Sequence, residues 1–86
     1  MDDKSKAINI IKEALNCEES KTEKIVDGLI EAGVGLPIER AEIDKDGLLE
    51  VTSLDQRRYS VRVNKLFSVD SVKDMESNKY IYMIYQ

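Results

Sequence analysis

The chain has 86 residues, 42% of them hydrophobic and 35% charged, which fits one globular domain over 1–86 and leaves no length for a second. The formal net charge of -4 opposes unassisted binding to phosphate backbones or anionic membranes. The acidity is uneven: residues 1–46 hold 12 Asp/Glu against 7 Lys/Arg, and residues 47–86 hold 5 against 6.

The N-terminal run Met1-Asp2-Asp3-Lys4-Ser5-Lys6 is charged, and no long apolar stretch follows it. That pattern predicts neither a signal peptide nor a membrane span. One cysteine, Cys17, allows no internal disulfide, so a reducing cytoplasm is the expected location.

Ala7, Ile8, Ile11, Ala14 and Leu15 recur at helical spacing and predict an amphipathic helix over about 5–16. Ser5 or Asp3 is its expected N-cap. Ser20-Lys21-Thr22-Glu23 reads as a capping box opening a second helix over about 20–33. Ile25, Val26, Leu29 and Ile30 form its apolar stripe. Gly33 is the expected left-handed C-cap, with Val34 packing back onto Leu29.

After Pro37 the period changes to two. Strands are expected at about 39–43, 48–54, 58–69 and 79–86, with Asp44-Lys45-Asp46-Gly47 as a hairpin turn. Residues 66–77 fit either strand extension, another strand or a short helical turn. Keeping Leu49, Val51, Tyr59, Val61 and Val63 on one face predicts the register Val51–Val61, Leu49–Val63 and an exposed Glu50–Arg62 pair. Helices and strands segregate along the chain. The expected class is therefore α+β: two N-terminal helices packed on one face of a three- to four-stranded antiparallel sheet.

Chemistry is scarce in this composition. There is no histidine, which removes imidazole bases, Ser-His and Cys-His pairs and most zinc sites. Cys17 reads as a small structural hydrophobe. Gly33-Val34-Gly35 follows a helix, whereas a phosphate loop opens one. Glu42, Asp44, Asp46 and Gly47 match the first half of a calcium loop, but Ser53 stands where a bidentate glutamate is required. A metal-dependent enzyme using Asp44, Asp46 and Glu50 is the weakest reading. The expectation is a protein that is not an enzyme, with no catalytic residue, metal, cofactor or small-molecule substrate.

The C-terminal strand is the feature that a purely structural account does not absorb. Tyr80, Tyr82 and Ile84 are expected to share its outer face, with Ile81 and Met83 inward and Tyr85 beside them. Two helices cover one face of a sheet and not both. The outer face is then shielded by Arg58 and Arg62, wrapped by the first helix, or used for docking. No motif names a biochemical activity. The leading expectation is a small cytoplasmic protein-interaction or regulatory module. Its site would be Tyr80, Tyr82, Ile84, Arg58 and Arg62, and its partner another protein or, in a homodimer formed through the sheet, itself. The alternative is a nucleic-acid-binding regulator using the basic sheet face.

Overall fold

The structure is a computed structural model and describes residues 2–84. Two helices, α1 (Asp3–Leu15) and α2 (Glu19–Ala32), precede five strands: β1 (Ile38–Ile43), β2 (Leu49–Ser53), β3 (Arg58–Val63), β4 (Val69–Asp74) and β5 (Lys79–Met83). The strands form one antiparallel meander in the order β1-β2-β3-β4-β5. The α+β class stands. The sheet has five strands rather than the expected three or four.

The helices start earlier than their sequence signals suggest. Asp2, not Ser5 or Asp3, caps α1: its Oδ1 accepts from the Ser5 amide at 2.7 Å. No side chain caps α2, whose N-cap is Glu18, so the expected capping box at Ser20 is not used. Thr22 is buried, and its hydroxyl donates to the Glu18 carbonyl at 3.0 Å, lying 3.1 Å from Cys17 Sγ. Because α2 begins at Glu19, Ser20 lies inside the helix rather than at its N-cap. Gly33 ends α2 at φ 100 as expected. Its amide reaches the Ile30 carbonyl at 3.1 Å, and the Val34 amide reaches Leu29 at 3.0 Å.

The expected strand 58–69 stops at Val63, and of the readings left open for 66–77 the structure has another strand, β4, from Val69. Between them Asn64 Oδ1 accepts from the Leu66 amide at 2.8 Å and the Ser68 amide at 3.1 Å, turning the chain back. Phe67 takes the left-handed position at φ 61. A phenylalanine there is unusual, but its ring packs against the core and Lys21 Nζ stands 4.8 Å over it. Lys24 Nζ adds a bond to the Leu66 carbonyl at 2.9 Å, so α2 grips this turn.

The β2–β3 register also differs. Leu49 faces Val61, Glu50 faces Ser60 and Val51 faces Tyr59. The loop is Leu54-Asp55-Gln56, closed by the Ser53 amide on the Arg57 carbonyl at 2.9 Å, with Gln56 left-handed at φ 71. The centre of this loop is one position earlier than the one expected from face consistency. The two registers differ by two residues in pairing, so the same residues stay inward. The Glu50–Arg62 pair does not form: Arg62 lies opposite Ser71 on β4, diagonal to Glu50 on the same face.

Ala7, Ile8 and Ile11 of α1, and Ile25, Val26 and Leu29 of α2, close over Leu49, Val51, Tyr59, Val61, Val69 and Val72. α1 lies along β1 and against α2, and α2 lies against β4. The helices are further joined by Lys4 Nζ on Asp27 Oδ1 at 2.8 Å. Close approach of α2 to β4 depends on Gly28. A methyl carbon there would fall 2.7 Å from Val69 Cγ2 and 3.0 Å from Val69 Cβ.

Gly28→Ala should therefore destabilise the fold. Overpacking costs about 1–3 kcal/mol and improved helix propensity returns about 1 kcal/mol. In a Val69→Ala background the same substitution should become stabilising. Denaturant unfolding of the four chains in this cycle measures both signs.

A second expectation concerns acid. The Ser53 hydroxyl, and then the Arg57 amide, hold the Asp55 carboxyl below the ordinary aspartate range. A carboxyl lowered in the folded state contributes stability that is complete above the unfolded value of about 3.9 and is lost as pH falls through the lowered one. The stability gap between wild type and Ser53→Ala should be constant above about pH 5 and narrow below about pH 4. Thermal unfolding across that range measures it.

Candidate functional site

Antiparallel neighbours share a face, so the register assigns every strand side chain to one side of the sheet. Leu49–Val61–Val72–Tyr82 and Val51–Tyr59–Asp74 are rows of the helix-covered face. Glu42–Glu50–Ser60–Lys73–Tyr80 is a row of the outward face, crossing all five strands. Arg40–Thr52–Arg58 and Arg62–Ser71–Met83 flank it.

Tyr80 and Tyr82 therefore do not share a face. Lys73 pairs with Tyr80 and Val72 with Tyr82, so Ile81 is an extra residue that no register pair accommodates. An inserted residue reverses the in-and-out alternation beyond it. Tyr82 turns inward, half-buried against the core, and with Ile84 lines a recess that also holds Gly28 and Val69. Met83, expected inward, pairs with Ser71 on the outward face. Tyr85 lies outside the described residues.

The five residues expected to form one site are thus divided. Arg58, Arg62 and Tyr80 stand on the outward face, whereas Tyr82 and Ile84 lie on the side of α2. Among the described residues neither Arg58 nor Arg62 takes an ion pair. Arg57, outside the strands, is the paired one, lying 3.6 Å from the nearly buried Asp74 and 3.9 Å from Asp55.

Strand β5 is the uncovered edge of the sheet. The opposite edge, β1, has α1 along it. On and just beyond β5, Tyr80 is 53% exposed, Ile81 42%, Met83 40% and Ile84 46%. Four large apolar side chains in five consecutive positions on an open edge are unusual, because natural edges are more often charged. Residue-level reading missed Lys73, which stands beside Tyr80 with Nζ 5.7 Å from the ring centre. Its place in the row depends on a β4 strand that had no clear signal.

Acid chemistry finds little purchase. No group of three or more Cys, Asp or Glu among the described residues is arranged to hold a metal ion. Asp44 Oδ1 is occupied by the Asp46 amide at 2.8 Å and the Leu48 amide at 2.9 Å, the bonds of a turn. No helix among the described residues is long and apolar enough to cross a membrane.

The divided tyrosines have different expected costs. Tyr80→Lys should change unfolding free energy by no more than about 0.5 kcal/mol, as an exposed substitution. Tyr82→Lys should cost about 1–3 kcal/mol, because it buries a charge at the core's margin. Equal effects in chemical denaturation would contradict the placement of β5.

Comparison with family models, with curated proteins and with solved structures finds no match, so the chain's own residues carry the functional reading.

Proposed function

We propose that this chain is a small non-enzymatic interaction module, working in the cytoplasm, that docks another polypeptide along the β5 edge. The observation that carries this is the open edge strand bearing exposed Tyr80, Ile81, Met83 and Ile84. A sheet edge offers unpaired backbone donors and acceptors, and strand addition satisfies them while burying alternate side chains. Aromatic and methionine side chains at such an edge supply contact area. Either a second copy or a different chain fits this geometry.

The nucleic-acid reading has less support. Arg58, Arg62 and Lys73 do share the outward face, with Tyr80 beside them. Glu42 and Glu50 stand on the same face, and the net charge is -4. Phosphate backbones are held by continuous basic tracks, which this face does not offer.

The double variant Ile81→Lys/Met83→Lys tests the docking edge, since both residues are exposed and should be replaced without loss of fold. If the partner is a second copy, the wild-type mass in solution should rise above 9.8 kDa with concentration and the variant should stay at that value. If the partner is another chain, capture from the native cell should succeed with wild type and fail with the variant. A wild type that stays monomeric, with captured proteins unchanged by the variant, would overturn the proposal.

A further inference from the structure

We infer that the outward face carries a binding site for a single phosphate group, built by β3 and β4. This goes beyond the docking edge and stands without it. The register places Ser60 opposite Lys73 and Arg62 opposite Ser71. Two cations therefore occupy one diagonal of a four-residue square, and two hydroxyls occupy the other. Diagonal neighbours on an antiparallel pair stand about 7–8 Å apart, which long side chains span with ease. A guanidinium and an ammonium can then close on one oxyanion from two sides, with a hydroxyl donor at each remaining corner.

The four side chains are at liberty to do so. Among the described residues none of them makes a hydrogen bond or an ion pair. Lys73 is instead held over the Tyr80 ring, a contact that orients the ammonium without neutralising it. The square forms part of an open concavity of about 260 Å³, also lined by the β1–β2 turn and by Met75 and Asn78 of the β4–β5 turn. That volume accommodates one phosphate group and the first atoms of its carrier.

The rim selects against larger anions. Asp44 and Asp46 line the same concavity. Asp44 is engaged by turn amides, but both carboxylates add negative charge to the lining. Like charges at this range cost a polyanion more than they cost a monoester. The ligand class is therefore a phosphate monoester, free or carried on a side chain, rather than a polyphosphate or a nucleic acid.

The test is a titration of the full chain, followed by backbone amide resonances, with inorganic phosphate, with O-phosphoserine and with a single-stranded oligonucleotide. Both monophosphates should give saturating shifts centred on Ser60, Arg62, Ser71 and Lys73. Tighter binding of O-phosphoserine than of phosphate would identify a carried group as the source; equal binding would identify the free ion. Arg62→Gln and Lys73→Gln should each weaken binding at least tenfold with the melting temperature unchanged. Asp46→Asn should tighten it severalfold. Shifts that grow without saturating, that spread over the surface, or that persist in the double Gln variant would show adventitious ion binding only and overturn the inference. Tighter binding of the oligonucleotide than of either monophosphate would overturn it as well.

Discussion

A polar side chain at the end of each of the first four strands closes the following turn, and the pairs next to each turn take their register from it. Asp44 accepts from two turn amides, Asn64 from two, and Asp74 from the Glu76 amide at 2.9 Å. Ser53 works with Asp55, whose Oδ1 accepts from the Ser53 hydroxyl and from the Arg57 amide at 3.3 Å. Each bond contributes only about 0.5–1.5 kcal/mol net. Their structural weight is larger, because a slip by one residue would send a whole strand's apolar set to the solvent face. The inward rows Leu49–Val61–Val72 and Val51–Tyr59 exist because these oxygens stop each strand where they do. The outward square of Ser60, Arg62, Ser71 and Lys73 follows from the same registers.

The same constraint explains what could be read from the sequence and what could not. Asp44 to Gly47 was legible because its left-handed position, φ 82, is filled by glycine. The equivalent positions in the next three turns are Gln56, Phe67 and Asn78, at φ 71, 61 and 60. The change of strand at 54–58 marks the turn at Gln56, whereas composition gives little sign of one at Phe67. Phe67 is tolerated there through contacts with Lys21 and the core, which no local pattern reveals. The strand from 58 is therefore expected to run on to 69, and β4 is only one of three readings open for 66–77. The helical stripes and the Gly33 cap were legible for the opposite reason: their partners lie within one turn of chain. The expected start of α2 differs because the helix begins at Glu19, which takes Ser20 into its first turn.

Coverage of the sheet is set by two contacts. α1 lies along β1 and protects that edge, and α2 is drawn onto β4 by the missing side chain at Gly28 and by the Lys24 bond to the β3–β4 turn. With both helices committed, β5 is left at the margin. Its inward residues, Tyr82 and Ile84, meet α2 across the recess beside Gly28. Of the six cations in the back half, Arg58, Arg62 and Lys73 stand on the outward face. An acidic chain can in this way present a local basic square.

The extra residue in β5 unites the two features that first seemed in conflict. Strict alternation would put Tyr80 and Tyr82 on one face and require a cover that two helices cannot provide. Inserting Ile81 removes that requirement: Tyr82 joins the core's margin while Tyr80 stays outside beside Lys73. The same insertion leaves Ile81 without a register partner and 42% exposed. Bulges twist an edge and so discourage indiscriminate pairing. Under the proposed docking role, an apolar and bulged edge would favour a strand shaped to that bend over a flat one.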